Sequence, residues 1–361
     1  MKTISLPQFN LTDKAWPKKF RPLLTAESLK GQVVIPERFA WSNSSLLLFK
    51  KCPRKFFWKY IARVRPKFKS TPLIIGGAFH EALAEWYRRP RANMMTLAQR
   101  IADRMLSKAN GEVDFFDAEE FDKLTTMART FTGMLMAYST VYAGDRLSWS
   151  TPAKNCEVFF RKPYQDFDFI GVIDLLPFAL TGKNAGKMFI VENKTASRIT
   201  GSYVERIAID SQIRSYVLGA KVFGIKPTHI LYNVVGKCKL RKKSGESTPE
   251  FNRRIADDYM ARPANYFYRE EIMFNTKEVE ALEWELHQVH AHYKLITQGH
   301  FGPPLDPRSW ISNDGVCNEY FSTCHYMRLC TEGLDDGTVL GYKHDPRSRE
   351  DVSVEELITG E

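Results

Sequence analysis

Two apolar segments of this chain carry charged residues that ordinary packing would exclude. Asp174 lies in the run GVIDLLPF, and Glu192 and Lys194 lie in IVENKTAS, eighteen residues further on. Both runs are rich in β-branched and aromatic residues, which predicts strands. Alternate strand residues face the same side, so Glu192 and Lys194 share a face, Asn193 points away, and Asp174 on the neighbouring strand can reach the same point. Because buried charges are costly unless they are paired or bind a metal, the pattern predicts a functional site.

Two carboxylates beside a lysine suit the hydrolysis of phosphodiester bonds. Carboxylate oxygens are ligands that Mg²⁺ and Mn²⁺ prefer. Such an ion lowers the pKa of a bound water molecule and neutralises the charge that develops on the phosphate. The lysine can orient or deprotonate that water, or stabilise the charge of the transition state. We therefore predict a metal-dependent active site at Asp174, Glu192 and Lys194.

The wider pattern predicts a mixed α/β fold. Strands are expected over residues 155–162, 167–180, 187–193, 228–236 and 266–274. Helices are expected from residues 41–44 through Tyr60, and over 77–89, 206–223 and 277–297. Residues 93–145 are predicted to be all helical, and residues 237–263 to form a basic, polar excursion. This order indicates an α/β layer arrangement with a helical insertion at about 92–148.

The charge of the chain is unevenly distributed. The net charge is +10, but residues 331–361 hold nine acidic and three basic side chains, so the rest of the chain carries +16. This positive net charge suits the binding of a polyanion such as nucleic acid, although it can also simply keep the protein soluble. Residues 1–38 are predicted to form an irregular arm, and residues 331–361 an acidic, flexible tail. No long apolar run and no secretory leader are evident, so we expect no membrane contact and a cytoplasmic location, in a bacterium or a phage-infected host.

The chain resembles the RecB-like members of the PD-(D/E)xK nuclease superfamily, which include the CRISPR-associated exonucleases. The GVID and ENK segments are similar to motifs II and III of that superfamily. His80 in GGAFHEALAEW is similar to the additional metal-binding histidine of the subgroup. Gln212 and Tyr216 in DSQIRSYVLGA are similar to its Q-x-x-x-Y pair, and the order of the four features matches.

The resemblance implies a fold and a role for each of these residues. The fold is a restriction-endonuclease-like core, a central mixed sheet flanked by helices, over residues 39–330. The metal ligands are implied to be His80, Asp174, Glu192 and the backbone carbonyl of Asn193. Lys194 would act on the water, and Gln212 and Tyr216 would contact DNA phosphate or support the metal site.

Four of the six cysteines follow the layout of RecB-like nucleases that hold an iron–sulfur cluster. Cys52 follows the segment SNSSLLLFKK, and Cys317, Cys324 and Cys330 lie near the other end in a C-x6-C-x5-C spacing. The resemblance implies a [4Fe–4S] cluster that joins the N- and C-terminal parts of the domain. The longer first gap is more like that of stand-alone, phage-type members. Four thiolates would suit Zn²⁺ equally well, so the spacing leaves both metals open. Cys156 and Cys238 lie outside this arrangement and are predicted to be inert.

Basic residues that could contact DNA phosphates occur in two segments. The segment CPRKFFWKYI offers Arg54, Lys55 and Lys59, although its aromatic residues can equally bury the cluster. The segment KCKLRKKSGES offers Lys239, Arg241, Lys242 and Lys243. Neither segment has a pattern that reads bases, so little sequence specificity is expected.

These observations predict a DNA exonuclease of recombination, repair or replication that acts on single-stranded or duplex ends. The alternatives are a non-catalytic DNA-binding or scaffold subunit, a zinc-stabilised interaction protein, and an enzyme of the same fold that acts on RNA or as an endonuclease. The sequence has no G-x-x-x-x-G-K-[ST] motif, so a helicase or recombination partner would be a separate chain.

Overall fold

The computed structural model describes residues 33, 35–66, 71–89, 91–111, 118–319, 322–333 and 342–344. The chain divides into two compact units. The first unit comprises residues 1–67, 163–170 and 281–361, and the second comprises residues 68–162 and 171–280. Nearly all of the predicted arm over residues 1–38 lies outside the described residues, as does most of the predicted tail over 331–361.

The regular elements alternate along the chain as the sequence pattern indicated. The strands are β1 (Phe39–Ser42), β2 (Val64–Pro66), β3 (Trp149–Ser150), β4 (Cys156–Pro163), β5 (Phe167–Leu175), β6 (Phe178–Ala179), β7 (Ile190–Ala196), β8 (Ile230–Gly236), β9 (Phe267–Ile272), β10 (Asn318–Glu319), β11 (Ser322–Thr323) and β12 (Tyr342–His344). The helices are α1 (Asn43–Lys51), α2 (Pro53–Phe56), α3 (Thr71–Arg88), α4 (Met94–Gly111), α5 (Ala118–Val141), α6 (Asp145–Ser148), α7 (Gly201–Ile207), α8 (Ser211–Val222), α9 (Thr248–Ala261), α10 (Pro263–Tyr266), α11 (Thr276–Thr297) and α12 (Met327–Thr331).

The second unit is built on a mixed sheet with β7 and β8 at its centre. These two strands run parallel from Ile190 opposite Ile230 to Ala196 opposite Gly236. The end of β5 pairs antiparallel with β7, and β9 pairs antiparallel with β8. Every residue of β8 is buried, and the first four residues of β7 are buried as well. This burial is typical of parallel strands that are covered on both faces, and it explains the near-continuous apolar sequence of β8.

The helices α4, α5 and α6 lie in the segment over which the sequence predicted helices. On α5 the buried side chains recur every three or four residues, at Leu124, Ala128, Phe131, Leu135 and Tyr138, which is one face of a helix. The helices α3, α4, α5 and α9 share one apolar core within the second unit.

Part of the predicted polar excursion over residues 237–263 is the helix α9. Ser247 caps its first turn by accepting from the backbone of Glu250, the Glu250 side chain binds back to the Ser247 backbone, and Pro249 lies in the first turn. Gly133 of α5 lets α9 approach closely, because a Cβ atom there would lie 2.6 Å from Ile255. The many charged residues of this amphipathic helix led to the prediction of a polar excursion, although the helix also has an apolar face.

Two other predicted elements are divided in the structure. The predicted strand over 167–180 ends at Leu175, because Pro177 has no N–H group to continue the hydrogen-bonded ladder. The predicted helix over 206–223 is replaced by α7 and α8. Asp210 lies between them with extended backbone and caps α8 by accepting from the backbone N–H of Gln212 at 2.9 Å.

The first unit contains β1, the beginning of β5 and most of α11. Trp41 lies in β1, which pairs parallel with β5, rather than in the predicted helix. That helix begins after Ser42, whose side chain accepts from the backbone of Ser45. The aromatic rings of Trp41, Phe56 and Trp310 pack in one cluster, with Trp41 and Trp310 both stacked on Phe56.

Within the predicted tail, the described residues of β12 pair antiparallel with β2, so this part of the tail is structured. In the part of the chain that the structure describes, none of the helices combines the length and apolar character needed to cross a bilayer.

Candidate active site and cysteine segments

Glu192 and Lys194 lie on one face of β7, as the strand alternation predicted. The Lys194 ammonium contacts Oε1 of Glu192 and donates a hydrogen bond of 2.7 Å to Oε1 of Gln212 on α8. Glu192 is fully buried, whereas Lys194 is partly exposed. Asn193 points to the opposite face, where its side chain accepts from Asn233 of β8 at 3.1 Å.

Asp174 on β5 is held by three different elements at the same point. Its Oδ2 atom accepts from the backbone N–H of Asn193 at 3.0 Å and lies 3.1 Å from Nδ1 of His80 on α3. Its Oδ1 atom accepts from the Tyr216 hydroxyl at 2.9 Å. Gln212 in turn donates to the Tyr216 hydroxyl at 2.8 Å. Of the predicted catalytic and metal-binding groups, the structure joins the side chains of His80, Asp174, Glu192, Lys194, Gln212 and Tyr216 through these contacts and through electrostatic coupling.

Gln212 and Tyr216 contact the acidic and basic side chains of the site directly. Tyr216 is buried, and Gln212 bridges it to Lys194. Of the two roles implied for this pair, these contacts fit the support of the site better than a contact with DNA.

The charges of the site shift one another's ionisation. Burial alone would raise the pKa of Asp174, but the attraction and hydrogen bond of His80 lower it below its usual value. Burial would lower the pKa of His80, and the attraction of Asp174 raises it to about 9. Burial raises the pKa of Glu192 to about 7, although Lys194 opposes the shift. The attraction of Glu192 raises the pKa of Lys194 despite its burial. Of these two carboxylates, Glu192 is thus the one whose negative charge is stabilised less by the surrounding protein.

A divalent cation fits this arrangement. Oε2 of the fully buried Glu192 has no hydrogen-bond partner among the described residues. A buried carboxylate oxygen is costly to leave without a partner, and a hard cation is a partner that it prefers. Asp174, Glu192, His80 and the Asn193 carbonyl could hold such an ion.

One acidic residue at the site was missed by the sequence interpretation. Glu157 at the beginning of β4 offers a carboxylate oxygen within 4.8 Å of donor atoms of both His80 and Asp174, which also lie within 4.8 Å of each other. Glu157 belongs to no motif, and the run CEVFF predicts only a strand, so no signal in the sequence pointed to it.

A buried polar network supports the opposite face of β7. Asn233 donates to Asn193 and also to the Tyr138 hydroxyl at 3.3 Å. Arg269 donates to the side chain of Asn233 and makes a two-pronged ion pair with Asp145 at 2.7 and 2.8 Å. The network thus joins Asn193, which lies between Glu192 and Lys194, to the helices α5 and α6.

The four predicted cluster cysteines all belong to the first unit and are free thiols. Cys52 is buried, and Cys317, Cys324 and Cys330 are partly exposed. Burial raises the pKa of Cys330 to about 11, and the charges of Cys324 and Cys52 contribute to the shift. Burial and the charge of Cys324 also raise the pKa of Cys317. The cysteines of this set thus contribute to one another's raised pKa values, although among the described residues their Sγ atoms do not form a group of three or more within 4.8 Å of one another.

Hydrogen bonds join the segment around Cys52 to the segment that precedes Cys317. The Arg54 backbone N–H donates to the carbonyl of Ile311 at 3.0 Å, and Asn313 donates to the carbonyl of Lys51 at 2.9 Å. The Arg54 guanidinium donates to the carbonyls of Pro307 and Trp310, both at 3.1 Å. Arg54 therefore serves the fold of this unit, which weakens its predicted contact with DNA. Lys55 is partly exposed, and the Lys59 ammonium lies 5.0 Å from the ring centroid of Tyr60.

The second basic segment leaves the sheet beside the site. The Lys237 backbone N–H donates to the carbonyl of Ala196 at 2.8 Å, two residues after Lys194. Lys239, Arg241 and Lys243 are exposed, and Lys242 is half-buried. Arg254 fixes the loop by binding Glu246 and the carbonyl of Arg241. Cys156 and Cys238, outside both sites, are buried free thiols of the second unit.

A family model described as the PD-(D/E)XK nuclease superfamily matches residues 40–331. The chain has no match among curated protein sequences. Among solved structures, it is similar to Scheffersomyces stipitis Rai1 at 10% identity, with a TM-score of 0.18, over 74% of this chain and 89% of that chain. A second structure, of the same protein with (3'-NADP)+ and a calcium ion, matches at 10% identity and a TM-score of 0.17, over 62% of this chain and 72% of that chain.

Proposed function

The chain belongs to the PD-(D/E)XK nuclease superfamily, and we propose that it is a metal-dependent exonuclease that hydrolyses DNA with little sequence specificity. The observation that carries the proposal is the convergence of His80, Asp174, Glu192 and Lys194 at one site of the second unit, where they contact one another in pairs and are coupled electrostatically. Its proposed setting is recombination, repair or replication, with a helicase or recombination protein as a separate partner.

In this proposal Asp174, Glu192, His80 and the Asn193 carbonyl hold a Mg²⁺ or Mn²⁺ ion. When bound, such an ion lowers the pKa of water and neutralises charge on the scissile phosphate. Lys194 stands beside Glu192 with its ammonium fixed by Gln212, so it can orient the attacking water and stabilise the negative charge of the transition state. Tyr216 fixes the Asp174 carboxylate through a hydrogen bond, so that its other oxygen faces His80 and the Asn193 backbone.

DNA is the substrate that the charge distribution favours. The chain outside residues 331–361 carries +16, and the exposed side chains of Lys239, Arg241 and Lys243 follow β8 close to the end of β7. Contacts of Lys and Arg with phosphates give affinity without reading sequence. The exonuclease activity, as opposed to internal cleavage, is supported by the resemblance to RecB-like members.

The proposal is tested by comparing linear DNA with covalently closed circular DNA of the same sequence. An exonuclease in Mg²⁺ or Mn²⁺ should degrade the linear form, leave the closed circle intact, and stop when EDTA is added. The position of an end label would give the polarity of digestion. Cleavage of the circle would indicate an endonuclease, and no cleavage of DNA or RNA with either metal would favour the non-catalytic DNA-binding subunit.

We further propose that Cys52, Cys317, Cys324 and Cys330 hold a [4Fe–4S] cluster, for which Zn²⁺ is the alternative. The support is the cysteine layout, the hydrogen bonds that bring the two segments together, and the electrostatic coupling of the thiols. Such a cluster would stabilise the first unit by joining residues that are far apart in the chain.

Metal analysis of anaerobically purified protein tests the cluster. We expect a brown protein with about four iron atoms per chain. Cys330→Ala should lose most of this iron, whereas Cys156→Ala, which removes a cysteine of the second unit, should keep it. A colourless protein with one tightly bound zinc ion would contradict the iron assignment and support the zinc alternative.

A further inference from the structure

We propose that Glu157 is a cation ligand of the active site, together with His80 and Asp174. The inference rests on the proposed function, because it concerns the same cation. It adds a carboxylate that neither the sequence motifs nor the resemblance to RecB-like nucleases supplies.

The donor atoms of Glu157, His80 and Asp174 lie close together. One oxygen of Glu157, one ring nitrogen of His80 and one oxygen of Asp174 all lie within 4.8 Å of one another. Two ligands of one Mg²⁺ ion lie at most about 4.2 Å apart, since each bond is about 2.1 Å long. The three side chains can therefore close on one ion through small movements.

Hydrogen bonds between the segments that carry Glu157 and Asp174 hold these two residues beside each other. The Leu176 N–H donates to the carbonyl of Asn155 at 2.8 Å, and the Asn155 side chain donates to the carbonyl of Leu176 at 2.8 Å. Glu157 lies two residues after Asn155, and Asp174 lies two residues before Leu176. A pair of hydrogen bonds next to the site thus fixes the relative position of the two carboxylates.

The backbone of Glu157 is in an unusual conformation. Its φ of 52° lies in the left-handed region. Residues with a Cβ atom are strained in this region, whereas glycine is not. Strained residues of this kind occur mainly where a side chain is held for binding or catalysis.

An independent observation indicates that this point receives a cation. Glu192 is fully buried, its Oε2 atom has no hydrogen-bond partner among the described residues, and it interacts electrostatically with both Asp174 and His80. The charge of a buried carboxylate that lacks a hydrogen-bond partner on one oxygen thus acts on two of the three proposed ligands, and a cation held by them would compensate it.

The test is the binding of Mn²⁺ to the full chain, purified anaerobically and measured by isothermal titration calorimetry without DNA. Glu157→Gln keeps the size of the side chain but removes the charge. We expect the affinity for Mn²⁺ to fall at least about tenfold, since loss of even an outer-shell partner of a metal site lowers metal affinity by that factor. Glu157→Gly should show the same loss and is safe for folding, because glycine adopts positive φ readily. Glu271→Gln, which neutralises an exposed carboxylate of β9, is the matched control and should bind as the unmodified protein does.

The outcomes separate this inference from the proposed function. Wild-type affinity in both Glu157 variants, with binding lost in Asp174→Asn, would overturn the role of Glu157 and leave the proposed metal site intact. A wild-type protein that binds no Mn²⁺ would contradict both. Weakened binding in both Glu157 variants and unchanged binding in Glu271→Gln would support the assignment.

Discussion

Replacing Lys194 by alanine should lower the rate of DNA hydrolysis by about 10²–10⁴-fold, because a positioned charged group in an active site contributes that much to the rate. The ammonium of Lys194 is held between Glu192 and Gln212, so its position in the site is fixed. The measurement is the initial rate of nucleotide release from labelled linear DNA at saturating Mg²⁺.

Lys187→Ala is the matched control for this variant. Lys187 is exposed and lies just before β7. If Lys194 acts through its position in the site, and not only by adding positive charge to the protein, Lys187→Ala should keep the rate of hydrolysis within about twofold of the wild type. Because Lys194 pairs with a buried carboxylate, circular dichroism melts of both variants should accompany the assay. A folded Lys194→Ala protein that digests DNA at the wild-type rate would remove Lys194 from the mechanism.

Replacing Arg269 by alanine should lower the free energy of unfolding by about 3–5 kcal/mol, the typical cost of removing one partner of a buried ion pair. Arg269 binds Asp145 with two hydrogen bonds and lies over the ring of Tyr142, with 3.6 Å between its guanidinium carbon and the ring centroid. Asp145 is buried, so its charge would be left without this compensation. Urea denaturation, followed by tryptophan fluorescence, measures the loss.

Two further variants show whether the ion pair causes that loss. Arg253→Ala removes an exposed arginine of α9 and should change the stability by no more than about 0.5 kcal/mol. The double variant Asp145→Asn with Arg269→Ala should be more stable than Arg269→Ala alone, because the stranded charge is gone. A loss below about 1 kcal/mol in Arg269→Ala would show that the network behind β7 is not stabilising.

The sequence predicted the part of the site that depends on local geometry. Strand alternation alone places Glu192 and Lys194 on one face and Asn193 on the other, and helical spacing places Gln212 and Tyr216 together. The structure has both arrangements, and it places Asp174 beside them. These relations hold because they span a few residues of regular backbone.

The parts that were missed depend on tertiary structure. Glu157 reaches the site through a left-handed backbone conformation and a contact between Asn155 and Leu176, neither of which leaves a pattern in sequence. The pair of Asp145 and Arg269 joins residues 124 positions apart. The capping box of α9 was visible at Ser247 and Glu250, but the basic residues before it led to its interpretation as a polar excursion.

The most direct test of the account compares wild-type protein with Asp174→Asn on uniformly labelled linear DNA in Mg²⁺, with acid-soluble nucleotide as the readout. Asp174 contacts His80, Tyr216 and the Asn193 backbone, and asparagine preserves its size while removing its charge. The account predicts digestion by the wild type that EDTA abolishes, and no digestion by a folded Asp174→Asn protein. Two results would contradict the assignment of this site as a nuclease centre. One is digestion of the DNA at equal rates by the two proteins, and the other is a wild-type protein that binds Mn²⁺ but does not digest DNA.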